Sequence, residues 1–227
     1  MAHWLPYNPI QPVFLERIFI SLPSDFCFQH SYPCILSSCE SENMNKVETI
    51  NTPVGSYAPD FELPGIDEQV HHLSRYLKKF HAVGVISMSN YCPYVKLYLD
   101  RLKKIQLKFY TQGFTLIGLN GNDATQLPTE GFENMKAFAK VNELNFPYLW
   151  DSTQDVTRSF GINKTPTAFL IDTEGIVRYK GMIDDQPYNP SVVKENYLTQ
   201  AIASLMKGQE IYPMETEPTG TYLLWRK

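Results

Sequence analysis

The chain has 227 residues and is poor in cysteine, in clustered basic charge and in long apolar runs. Only four cysteines occur: Cys27, Cys34 and Cys39 near the start, and Cys92 alone in the last three quarters. The early spacings, seven and five, do not suit a close pair of zinc ligands. No metal and no cofactor is therefore expected. Net charge is −4, and no block of Lys or Arg stands out. Binding of nucleic acid by phosphate neutralisation is excluded on that ground. No apolar run reaches the roughly 18 residues of a membrane helix. The nearest, "PVFLERIFISL", is broken by Glu16 and Arg17. The start also lacks the basic opening and small-residue cleavage site of a secretory leader. The expectation is a cytoplasmic protein with no membrane partner, in a compartment that keeps thiols reduced.

What is present is an ordinary globular composition, 43% hydrophobic and 19% charged. The first 43 residues differ from the rest. They are rich in Pro, Ser, Cys and aromatics and show neither a helical period nor strand alternation. Residues 1–43 are read as an extension: an over-extended reading frame with the true start at Met44, or a loosely packed arm. Residues 44–227 hold one domain with a C-terminal tail.

In that domain, "APDFEL" and "EQVHHL" surround the turn "PGIDE" and predict a hairpin. His71 and His72 are adjacent, so on a strand they face opposite sides and cannot share a site. "HAVGVISM" and "FTLIGLN" predict buried strands. Between them, Pro93 suits a first helical turn, and Val95, Tyr98, Leu99, Leu102, Ile105 and Phe109 follow helical spacing. The polar loop "NDATQLPTEG" precedes a helix over "GFENMKAFAKVNEL", an extended "FPYLWD" and a short helix stopped by Gly161. "TPTAFLID" and "IVRYKGMID" predict two strands around a turn. Asn189 and Pro190 predict the start of a helix that runs through Val193, Tyr197, Ala201 and Leu205 to Gly208. This order implies an α/β fold, a central mixed sheet with helices on both faces.

The chemistry is expected at "SNYCPYVK". A thiol attacks only as the thiolate. The start of a helix offers unpaired N–H groups and the positive end of the dipole. Cys92 immediately precedes Pro93, so its sulfur is expected among those donors. The bland alternative is a small buried residue, a common fate of free cysteine. Tyr91 and Tyr94 flank the thiol, and Lys96 lies one turn along. In "KTPTAFLID", Thr165–Pro166 precedes a buried strand and is a candidate cis peptide. Asp184 and Asp185 are read as a solvated turn after the last strand.

Together, "GSYAPDFELPGIDEQVHHLSRY", "NYCPYVK", "FENMKAFAK", "FPYLWDSTQDV", "KTPTAFLID" and "YKGMIDDQP" resemble the thioredoxin-like superfamily. The resemblance is nearest to the AhpC/TSA redoxin branch and its peroxiredoxin-like group with an active turn Cys-Asn-His-Cys-Pro. It implies a thioredoxin fold with an N-terminal β-hairpin. It implies an oxidoreductase, peroxidase or thiol–disulfide, acting on peroxide or protein disulfides. Catalysis would fall to Cys92, with Ser89 donating to the thiolate or to peroxide. Thr165, Pro166, Tyr91 and Pro93 would meet the substrate, which lies extended beside the proline. An external thiol of thioredoxin or glutathione type would reset the sulfur. The sequence departs from the group where partner thiols would stand, at Ser89, Lys164 and Thr221. Val85 replaces the peroxiredoxin proline, and no arginine stands near Pro166. Cys92 therefore matches either a peroxide-attacking thiol or a thioredoxin resolving thiol. A binding module that has lost its redox partners is the alternative.

Overall fold

Short β-branched runs and one long amphipathic stretch organise the domain. The computed structural model describes residues 51–227. The extension 1–43, with Cys27, Cys34, Cys39 and the alternative start at Met44, lies outside the described residues. The hairpin forms from β1 (Glu62–Pro64) and β2 (Val70–His72), and leads into α1 (Leu73–Lys79). Then come β3 (Ala82–Ser87), α2 (Pro93–Tyr110), β4 (Phe114–Asn120), α3 (Phe132–Val141), β5 (Tyr148–Trp150) and α4 (Asp155–Ser159). The chain ends with β6 (Lys164–Thr165), β7 (Ala168–Asp172), β8 (Val177–Gly181), α5 (Tyr197–Met206) and β9 (Thr221–Tyr222).

The central sheet has the order β5-β4-β3-β7-β8. β3 runs parallel to β4 and antiparallel to β7, so the sheet is mixed and β3 lies at its centre. Alternate side chains of β3 serve opposite faces. Ala82 and Ile86 join Val95, Leu99 and Leu102 of α2 and Leu198 and Ile202 of α5. Val83 and Val85 join Leu73 of α1, Phe160, Phe169 and Leu223. All six apolar positions expected on α2 are buried. Burying each such side chain contributes about 1.5–3 kcal/mol, which is why this period dominates the helix.

The segment after Asn189 differs from the single helix expected. Asn189 Oδ1 does accept from Ser191 N at 3.0 Å, but it caps only a 3₁₀ turn over Pro190–Val192. Val193 then turns extended, with ψ 123°. Asp185 holds that break open: its carboxylate accepts from Lys194 N at 3.1 Å and its own N–H reaches Glu195 O at 3.1 Å. The helix proper starts only at Tyr197.

Asp172 ends β7 and organises the turn to β8. Its Oδ1 accepts from Glu174 N and Ile176 N, both at 2.9 Å, and its Oδ2 accepts from Arg178 Nε at 2.5 Å. Asp172→Ala leaves two turn amides without these acceptors. A loss of about 1–2 kcal/mol is expected, read as a lower urea midpoint at unchanged slope. An unchanged midpoint removes Asp172 from the account of the turn.

Candidate active site

β3 ends at Ser87 and α2 begins at Pro93, and the five residues between them form the loop that carries Cys92. The loop is clamped from an unexpected direction. Glu130, in the 3₁₀ turn Pro128–Glu130, is fully buried. Its Oε1 accepts from Ser89 Oγ at 2.7 Å and Tyr91 N at 2.9 Å. Its Oε2 accepts from Asn90 N at 3.0 Å and Asn120 Nδ2 at 2.7 Å. Four donors thus converge on two carboxylate oxygens, the pairing a buried carboxylate requires. Tyr148 supports the clamp from below by donating to Asn90 Oδ1 at 3.0 Å. Burial first, and then the negative charge of Glu130, push the Tyr148 hydroxyl well above its ordinary range, so it stays a donor.

This arrangement corrects the expectation for Ser89 and Cys92. The Ser89 hydroxyl proton goes to Glu130 rather than toward the sulfur. The same oxygen accepts from Cys92 N at 3.1 Å and Tyr91 N at 3.2 Å. The loop amides that point inward are therefore spent on Ser89 and Glu130. Cys92 is the N-cap of α2, but its side chain accepts no cap hydrogen bond. The residue is 1% exposed, and its sulfur donates to Thr165 O at 3.1 Å. A carbonyl oxygen only accepts, so the S–H is the donor in this contact. The sulfur lies beside the helix start without being ligated by its amides.

Thr165 is presented by a second knot. Ser87 Oγ donates to Lys164 O at 2.9 Å and accepts from Thr167 N at 2.7 Å. Thr167 Oγ1 also donates to Lys164 O, at 2.8 Å. These bonds tie the turn before β7 to the end of β3, and the Thr165–Pro166 peptide is cis. This edge is occupied by the chain's own tail. β9 pairs antiparallel with β6, Lys164 opposite Tyr222 and Thr165 opposite Thr221. Thr221 Oγ1 lies 3.3 Å from Cys92 Sγ.

The structure thus brings Ser89, Cys92, Thr165 and Thr221 together, with Pro166 buried behind them. Tyr91 and Pro93 form the exposed rim, Tyr91 at 59%. Tyr94 accepts from Tyr188 at 2.8 Å on the same helix start. Lys96 is exposed and makes no side-chain bond to the site. Asp184 is not the solvated residue expected. It is buried and pairs with Arg101 at 2.6 Å, while Tyr98 donates to it at 3.0 Å. Among the described residues, no group of His, Cys, Asp and Glu is placed to hold a metal ion. No described helix is long and apolar enough to cross a membrane. A surface cavity of about 460 Å³, lined by Tyr76, Phe80, Gln106, Leu107 and Tyr110, takes in none of the Cys92 neighbours. Of its polar lining, Gln106 is already bonded to Leu116 N and Thr115.

Two parts of the site were not read from the sequence. Glu130 sits in a stretch that reads as a polar loop, and nothing local marks it as buried. The resemblance had marked Thr221 as a place for a partner thiol, but the run Thr-Tyr-Leu-Leu-Trp carries no polar–apolar alternation that would mark it as a strand, although in the structure Tyr222 is 70% and Leu223 6% exposed.

A family model described as the AhpC/TSA family matches residues 54–180. Over 125 residues the chain is 27% identical to the thiol-disulfide oxidoreductase ResA of Geobacillus thermodenitrificans, covering 55% of this chain and 67% of that one. It is 26% identical over 138 residues to the thiol:disulfide interchange protein DsbE of Pseudomonas aeruginosa, covering 59% and 69%. Among solved structures, a hypothetical protein of Sinorhizobium meliloti 1021 superposes with a TM-score of 0.72 at 31% identity, covering 77% of this chain and 95% of its own. An uncharacterised protein of Geobacillus kaustophilus does so at 0.72 and 29%, covering 77% and 93%. A thiol:disulfide interchange protein DsbE of Chlorobium tepidum, described as putative in its own name, shares the thioredoxin-like fold at 0.57 and 24%, covering 69% and 99%.

Proposed function

We propose, given that the chain belongs to the AhpC/TSA family of thiol-dependent redoxins, that its chemistry rests on Cys92 alone and is reset by an external thiol. One observation carries this reading. The sulfur stands at the start of α2, 3.1 Å from the Thr165 carbonyl, while Ser89, Lys164 and Thr221 supply no second sulfur around it. The relatives named as thiol–disulfide oxidoreductases support the reaction class. Peroxide takes two electrons from the sulfur, its O–O bond breaks, and sulfenic acid and water result. One external thiol then condenses with the sulfenic acid and releases water. A second attacks the mixed disulfide and frees Cys92. A disulfide substrate enters at the mixed-disulfide stage. The external thiol is of thioredoxin or glutathione type, and a reducing cytoplasm would supply it. In the described conformation the thiol is covered and donates to the Thr165 carbonyl. Reaction requires the sulfur to lose its proton and its cover.

A specific observation favours a second reading, a binding module without turnover: the sulfur is buried and its proton is bonded to a carbonyl. One experiment separates the two. The full chain carrying Cys27→Ser, Cys34→Ser and Cys39→Ser is exposed to dilute hydrogen peroxide or to oxidised glutathione, then weighed by mass spectrometry. A sulfenic or glutathione adduct on Cys92, released by added thiol and absent in Cys92→Ser, is the expected result. A folded protein that stays unmodified under both treatments leaves the binding module.

A further inference from the structure

The C-terminal segment is clasped across the Cys92 groove rather than draped over it. β9 takes the hydrogen-bonding edge of β6, and Leu223 N donates to Asn163 O at 3.0 Å. Three buried polar side chains serve this segment. Asn122 Oδ1 accepts from Leu224 N at 3.1 Å. Gln154 donates to Leu224 O at 2.8 Å and accepts from Arg226 N at 2.8 Å. Asp123 N also reaches Leu224 O, at 3.0 Å, and the Asp123 carboxylate lies 3.8 Å from Arg226 Nε. Gln154 holds this position in a left-handed conformation, φ 69°. Gln126 donates to Trp225 O, Arg158 lies over the Trp225 ring, and Leu223 enters the core. At Gly220 the strand comes so close that a Cβ would meet Thr165 O at 2.2 Å.

We propose that this segment is a built-in substitute for a polypeptide partner, and that while clasped it bars extended polypeptide substrates from Cys92 and leaves its oxidation to small molecules such as peroxide. The inference rests on the reading that Cys92 is redox-active. An extended polypeptide could reach the sulfur by pairing with Lys164 and Thr165, and β9 holds that edge. A tethered strand competes at high effective concentration, and here the side-chain clasps on Leu224, Trp225 and Arg226 strengthen it. Thr221 meets the sulfur where a substrate cysteine on such a strand would lie. Hydrogen peroxide needs no edge pairing, only a water-sized opening beside Tyr91 or Thr221. In its reaction the sulfur gives two electrons to the O–O bond, one oxygen stays on sulfur and the other leaves as water.

The test uses the full chain with Cys27, Cys34 and Cys39 replaced by Ser, as wild type otherwise and as Gly220→Val. Leu223→Ser serves as a second way to free the tail. Amide exchange at Thr221–Leu224 confirms release. The probes are hydrogen peroxide and a twelve-residue peptide bearing an activated disulfide, and modification of Cys92 is followed by mass. In the parent, peroxide modifies Cys92 and the peptide does not. Release of the tail raises the peptide rate by about tenfold or more, the scale on which a tethered competitor acts. Peptide modification of the parent as fast as that of the released variants overturns the inference, and so does a released tail without gain. Silence of Cys92 toward both probes in all three proteins overturns the redox reading, and the inference with it.

Discussion

Glu130→Ala unfolds at a temperature about 10 °C lower, for a loss of about 3–5 kcal/mol. The carboxylate holds four donors in a fully buried space: Ser89 Oγ, Asn90 N, Tyr91 N and Asn120 Nδ2. Alanine leaves them facing a dry void, and each orphaned buried donor costs about 1–3 kcal/mol, reduced where the loop relaxes toward water. Glu130→Gln keeps the shape but turns an NH₂ group toward donors, so it recovers part of the loss and not all of it. Thermal unfolding followed by circular dichroism measures both. The loop that carries Cys92 is the part released, so alkylation of Cys92 in the folded Glu130→Ala protein is also faster. A Glu130→Ala protein within about 1 kcal/mol of the parent defeats the clamp.

Asp184→Ala has an effect of similar size at the other end of the α2 face. Asp184 is 2% exposed and pairs with Arg101, which also donates to Gln186 O at 2.8 Å and Pro187 O at 2.5 Å. The Arg101 guanidinium lies 4.1 Å from the Tyr98 ring centre. Burial first, and then the Asp184 charge, keep the Tyr98 hydroxyl protonated and donating. Removing the carboxylate strands a half-buried cation, at about 3–5 kcal/mol. The double change Arg101→Met with Asp184→Leu is expected to cost less than Asp184→Ala alone, because both charges leave together. Urea unfolding of the set closes the cycle. A double change that costs the sum of the two single ones shows that Arg101 and Asp184 do not act as a pair.

Much of the architecture was legible because burial in a regular element repeats. Val95 to Phe109 read as one face of a helix, and "HAVGVISM" read as the central strand, which it is. Pro93, Gly161 and Thr165–Pro166 were legible from backbone chemistry, and Gly161 does end α4 with φ 68°. Asn189 misled, because its cap is real but Asp185 takes the Lys194 amide and the Glu195 carbonyl and breaks the helix. Asp184 misled because a charged turn residue looks solvated until a partner arrives from α2, 83 positions earlier. The helix start beside Cys92 was legible too, yet the loop amides just before it, Tyr91 N and Cys92 N, went to Glu130 and Ser89.

The sequence by itself determined the hairpin, β3, α2, β4, α3, α4, β7 and β8 in order, though not α1, β6 or β9, together with the mixed sheet and the placing of one thiol between β3 and α2, since these follow from local period, turn chemistry and proline. Only the tertiary structure decided what surrounds that thiol. Glu130 arrives from 40 residues away to take the loop amides, and Thr221 from 129 residues away to cover the sulfur. Hydrogen bonds at such separations leave no periodic trace in a chain, because each needs one donor and one acceptor brought together by the packing of everything between them.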